Sequence, residues 1–169
     1  FMDETKLDIL PFHRVAKDLN GLSAEVFIEA LTENFDIEHT LSHVPSKQHE
    51  IVMFLEDKWY KLTCKDEIID TSNPVKELDA QILTDYVLDP LLNIKDLKTD
   101  SRIQFISGEE GVETMIRKVE KYPQGVGFVL YPIQMEQVKQ VADAQLIMPP
   151  KSTWVEPKLR SGLTIYPIQ

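Results

Sequence analysis

The stretch Arg102–Ile133, "RIQFISGEEGVETMIRKVEKYPQGVGFVLYPI", decides the fold class. "RIQFIS" is a short β-rich run that stops at a glycine. Through "GEEGVETMIRKVEKY" the apolar residues recur at helical spacing, with Val112, Met115, Ile116 and Val119 on one stripe. Glu109 and Glu110 stand at the positive N-terminal pole of that helix, and Arg117, Lys118 and Lys121 toward its negative end. "GVGFVLYPI" is a continuous apolar run, which fits a central strand covered on both faces. Gly125 and Gly127 read as close-packing positions within it. The two strands, Ile103–Ile106 and Val126–Leu130, are expected as parallel neighbours joined by a right-handed crossover.

Outward from this unit the chain alternates in the same way. "EIVMFLEDKWYKLTC" reads as a hairpin, with Ile51–Leu55 and Trp59–Cys64 flanking a turn at Glu56–Lys58. "NPVKELDAQILTDYVLDPLLNI" predicts a helix from about Asp79 whose apolar face holds Ile82, Leu83, Tyr86, Val87 and Leu91, ended or kinked by Pro90. "NGLS" predicts a turn with Ser23 as helix N-cap, followed by Phe27, Ala30, Leu31 and Phe35 at helical spacing. Leu7, Ile9 and Pro11 suggest a strand ending near "PFHR", and "HTLSHVPSKQHE" a loop. "QMEQVKQVADA" predicts a last helix with Met135, Val138 and Ala142 inward, and "GLTIYPI" a last strand. The order is β-α-β-β-α-β-α-β-α-β, an α+β domain with a mixed β-sheet and flanking helices.

Size and charge bound the function. The 169 residues suit one domain, and with 43% hydrophobic and 27% charged residues the composition is that of a globular protein. No apolar run reaches the length of a membrane span. One cysteine, Cys64, excludes an internal disulfide, so a cytoplasmic setting is expected. The net charge of −10 makes nucleic acid and anionic lipid poor partners. "FMDETKLDIL" carries no cationic leader, and its start at Phe1 reads as a fragment cut from a longer chain.

Few residues suggest chemistry. His39, His43 and His49 lie in a polar loop without supporting ligands, so no metal site is expected. The adjacent pairs Asp66/Glu67 and Glu109/Glu110 cannot face each other as a general acid and base. Cys64 reads as an inert core thiol. No phosphate-binding glycine fingerprint is present, and the residues name no cofactor. His13-Arg14 is either a base or anion donor at a strand exit, or a surface pair.

"MPPKSTWVEPKLRSG", Met148–Gly162, is the other candidate. Pro149, Pro150 and Pro157 stiffen it, and Lys151, Ser152, Thr153, Lys158, Arg160 and Ser161 load it with donors on an acidic chain. It reads either as an anion-binding loop or as a rigid crossover that seats Trp154 in the core.

The stretches "ILPFHRVAKDLNGLS", "WYKL", "LDAQILTDYVLDPLLNIKDLKTDSRIQFISG" and "VADAQLIMPPKSTWVEPKLRSGLTIYPI" resemble the C-terminal half of a bacterial and archaeal family known as domain of unknown function 1015. The resemblance implies a missing N-terminal half with an Asp-Gly-His-His-Arg motif. That half is similar to ParB-like domains, among them free-serine kinases and DNA partition proteins. It further implies that His13-Arg14, Lys151–Thr153, Glu156, Lys158, Ser161 and Gly162 belong to characteristic segments. On this resemblance the chain is a single domain over 1–169 that packs on the missing half. The expected function is part of a small-molecule, serine-kinase-like phosphotransferase with a phosphorylated small molecule or nucleotide as ligand. The alternative is a non-catalytic structural or interaction domain, packed on that half or in a homodimer.

Overall fold

The computed structural model describes residues 8–156. Among these residues eight strands run in chain order: β1 (Asp8–Leu10), β2 (Phe12–Ala16), β3 (Phe35–His39), β4 (Glu50–Leu55), β5 (Lys58–Cys64), β6 (Ile103–Ser107), β7 (Val126–Leu130) and β8 (Trp154–Glu156). The α-helices are α1 (Ala24–Leu31), α2 (Asp79–Leu83), α3 (Gly111–Val119) and α4 (Met135–Asp143). The class is α+β. A six-stranded sheet has the order β3-β5-β4-β7-β2-β6, and β1 pairs with β8 in a separate ribbon.

Every pairing in these sheets is antiparallel. The expected parallel contact between β6 and β7 is therefore not made. Both strands pair with β2, which lies between them. The sequence hid β2 because Pro11 breaks the first run and because His13 and Arg14 look like surface residues. In the structure all five residues of β2 are buried. The pair sits inside the sheet and not at a strand exit.

Local chemistry explains the rest. Ser23 caps α1 by accepting the Val26 amide. That helix ends at Leu31, so Phe35, which continues its spacing by coincidence, opens β3 instead. The β4–β5 turn places Glu56 and Asp57 at φ +48° and +57°, the geometry of a two-residue type I′ turn. After α2 the chain widens into a π-helical turn over Thr84–Leu88, and Pro90 stops it. In α4 the inward residues are Val138 and Val141, whereas Ala142 is exposed.

The core has two sides. α1 and α2 cover one face of the sheet with Phe27, Leu31, Ile82 and Leu83 against Ile51, Met53 and Phe128. On the other face α3 places Met115 and Val119 against Val15, Ile106 and Val129. Gly127 permits this approach: a Cβ there would stand 2.8 Å from the Met115 methyl. α4 packs through Val138 and Val141 on Leu78 and Ile133. The expected strand "GLTIYPI" lies outside the described residues.

Candidate functional site

The stiff segment forms a strap across one end of β2. Pro149 and Pro150 have no amide hydrogen, so the strap is held through its carbonyls. The Ser152 hydroxyl, buried, donates to the Pro149 carbonyl at 2.7 Å. The Arg14 guanidinium reaches the Pro150 carbonyl at 3.4 Å and the Phe12 carbonyl at 2.9 Å. Lys151 then adopts the left-handed region at φ +54° and carries its ammonium 5.5 Å from the centre of the Phe12 ring. Trp154 meets the same ring edge-on, with centroids 5.8 Å apart, and donates its indole N–H to Glu156. The start of β8 is thereby joined to the start of β2, and β8 pairs with β1.

Thus the two candidate segments, far apart in sequence, meet in space. Of the expected site residues, Lys151 is exposed, Thr153 half-buried, and His13, Arg14 and Ser152 buried. Lys158, Arg160 and Ser161 lie outside the described residues.

Arg14 is 0% exposed, with its guanidinium carbon 4.5 Å from the centre of the Phe105 ring. No carboxylate pairs with it among the described residues, and its Nε has no partner. Burial pushes its pKa down to about 9. His13 points the other way and accepts the Leu130 amide at Nδ1, 3.4 Å away. Burial, with Arg14 beside it, lowers the imidazole to about 4.

Phe12, Phe105 and Trp154 line an open depression of about 630 Å³, with Lys151, Lys118, Glu109, Glu110 and Ser107 also around it. Glu110 is partly committed: it accepts the Ser107 amide at 3.1 Å and stands 3.8 Å from the Lys118 ammonium. Aromatic faces beside two ammonium groups suit a planar ligand that carries an anion.

Sequence reasoning missed Asp79, which reads as an ordinary helix start. The residue is 6% exposed and accepts the His49 amide at 2.9 Å. Burial pushes its pKa up to about 7, the His49 hydrogen bond opposes this, and Glu50 and Glu77 add to it. It lines a cavity of about 10 Å³ with Gln48, Tyr131, Gln137 and Ser152, roughly the space of one water. The signal for this site is a long-range contact, which no local pattern carries.

The other candidates stand apart. His39 packs on Tyr60, His43 stacks on Trp59, and His49 holds φ +66°. Among the described residues no group of three or more His, Cys, Asp or Glu side chains is placed to hold a metal. Cys64 is buried, its thiol pushed up to about 12 by burial and by Asp79. No helix among the described residues is long and apolar enough to cross a membrane.

Fold and site together define an antiparallel α+β unit that presents a proline-stiffened strap at one end of its sheet. Residues 1–81, just under half of the chain, match the family model described as "Protein of unknown function (DUF1015)". Among solved structures it is similar to a conserved hypothetical protein from Pyrococcus furiosus (14% identity, TM-score 0.51) over 91% of this chain and 57% of that one. It is also similar to a free serine kinase in complex with AMP (13% identity, TM-score 0.50), over 89% of this chain and 54% of the kinase. At these identities the likeness shows the fold alone. The chain spans little more than half the length of these structures. No curated protein sequence matches it.

Proposed function

We propose that this chain is one part of a small-molecule phosphotransferase of the serine-kinase kind, and that its strap forms one wall of an anion site. The observation that carries the reading is the charge at the depression. Lys151 and Lys118 stand around it, and Arg14 lies behind its Phe12 and Phe105 lining with no carboxylate beside it among the described residues. Glu109 and Glu110 offset the two lysines of the lining, so the buried Arg14 guanidinium leaves the depression a single positive charge on a chain of net charge −10, which favours an anion beside Lys151. A nucleotide fits both halves of the lining, with its base on the aromatic rings and its phosphates toward the lysines. The fold shared with a free serine kinase in complex with AMP supports that choice of ligand. Lys158, Arg160 and Ser161 are assigned to the same site by their place in the sequence. The remaining wall, and the reacting groups, belong to the rest of the parent protein on this reading.

The test is titration of the full-length parent protein with ADP, ATP and serine, beside a Lys151→Ala variant. Binding of ADP or ATP that weakens about tenfold in the variant, the loss of one charge-assisted contact, supports the reading. Absence of binding by the full-length protein to all three removes it.

A second reading, a non-catalytic domain that packs on the rest of the protein or in a homodimer, is favoured by how much of the strap is used internally. Ser152 is turned onto Pro149, and Trp154 packs on Phe12. The two readings separate in the same titration.

A further inference from the structure

We infer that Arg14 is the positioning residue of the strap: it fixes the Pro150 carbonyl so that Lys151 faces the depression, without itself touching a ligand. The consequence for ligand binding rests on the anion reading above; the anchoring does not.

A buried cation is an expensive way to fill space, and an apolar side chain of similar volume is often as stable or more so. Arg14 has no carboxylate among the described residues to offset that cost. What it has that an apolar residue lacks is a pair of directed donors. One meets the Phe12 carbonyl on its own strand, and the other meets Pro150, 136 residues further along the chain. The planar fork holds both at once, which a single ammonium cannot do with the same reach.

The strap needs such an anchor for a reason written in its sequence. Two successive residues, Pro149 and Pro150, lack amide hydrogens and cannot be stitched into a ladder as donors. Their carbonyls are the remaining handles. Pro149 is closed locally by Ser152, a bond that stays within the strap and fixes nothing to the sheet. The Pro150 bond ties this turn to β2. The next residue is Lys151, in a left-handed conformation that a lysine adopts reluctantly. A shift at Pro150 therefore turns the backbone of Lys151 and moves its ammonium off the Phe12 ring. Arg14 itself has no exposed surface. Its effect on a ligand must pass through the strap and through its field.

The experiment uses the full-length protein with Arg14→Lys, which keeps the charge, and Arg14→Met, which keeps the bulk if the first variant folds poorly. Amide hydrogen exchange is followed at Ser152–Trp154 and, as a reference for the sheet, at Val126–Leu130; ADP is the ligand probe. We expect exchange at Ser152–Trp154 to rise at least tenfold with the sheet reference unchanged. ADP affinity should fall by about as much as in Lys151→Ala. Unchanged strap exchange in a folded variant overturns the anchor, even where Lys151→Ala weakens ADP and the anion reading stands. Faster strap exchange in a protein that binds no ADP supports the anchor and removes the anion reading.

Discussion

Exchanging Asp79 for asparagine should uncover a pH dependence that the native protein conceals. His13 stays neutral in the fold down to about pH 4, against an ordinary 6.5. Asp79 keeps its proton up to about pH 7, against an ordinary 3.8. Both are nearly inaccessible, so solvent screens neither much. Between about pH 4.5 and 6 the unfolded chain carries the proton on His13, and the folded chain carries one on Asp79. The sign for each follows from linkage. The depressed histidine makes stability rise with pH, because the unfolded state binds the extra proton. The elevated aspartate makes it fall with pH, because the folded state binds it. Each contributes about 1.4 kcal/mol per pH unit in this window, with opposite sign, so the two nearly cancel. Asp79→Asn keeps an oxygen for the His49 amide and removes the proton. Its stability relative to wild type should therefore rise by about 2 kcal/mol from pH 4.5 to 6. His13→Gln should show the mirror image, a relative fall of similar size. The assay is urea denaturation at half-unit intervals, read as the difference between variant and wild type. That difference removes the shared contribution of the surface carboxylates whose pKa values are lowered, such as Asp70, Asp96 and Asp100. Parallel curves, with a difference constant to within about 0.5 kcal/mol, refute the reasoning.

Three further outcomes follow from packing and burial. Gly127→Ala places a methyl 2.8 Å from the Met115 methyl and 3.0 Å from a Val119 methyl. It should cost about 1–3 kcal/mol in a thermal or urea melt, because the buried Met115 and Val119 side chains must repack. Cys64, with its thiol pushed up to about 12, should resist alkylation at pH 8 in the native protein and react promptly in urea. Ser23→Ala removes the acceptor for the Val26 amide and should cost about 1 kcal/mol, seen as faster exchange in the first turn of α1.

What the sequence disclosed was what local chemistry determines. The β4–β5 hairpin, the Ser23 cap and the amphipathic stripe of α3 follow from side-chain type and spacing within one element. Phe35 shows the limit of that logic: its spacing continues α1, yet the sheet claims it for β3 and buries it. Strand adjacency was also hidden, although β6 and β7 do run in the same direction, each antiparallel to β2. The β6–α3–β7 unit reads as a parallel pair until one knows that β2, far earlier in the chain, inserts between its strands.

The site was legible as two segments and illegible as one place. His13 and Arg14 look like surface polar residues because polarity is the usual mark of exposure. Their burial is decided by β6 and β7 closing on both sides of β2. Asp79 is the same case: its pKa is raised by burial, against the opposing hydrogen bond from the backbone of His49, 30 residues away. In both places an ionisable group is held where water would normally solvate it, and only backbone groups satisfy it in part. Such an arrangement is costly to keep for stability alone. Asp79 can lower the cost by keeping its proton near neutral pH. Arg14, even pushed down to about 9, remains charged there and has no such escape. Its charge is answered by the Phe12 carbonyl at 2.9 Å, the Pro150 carbonyl at 3.4 Å and the face of the Phe105 ring. Arg14 therefore bears on the proposed anion site through the strap that it holds and through its field, whereas Lys151 would meet the ligand directly.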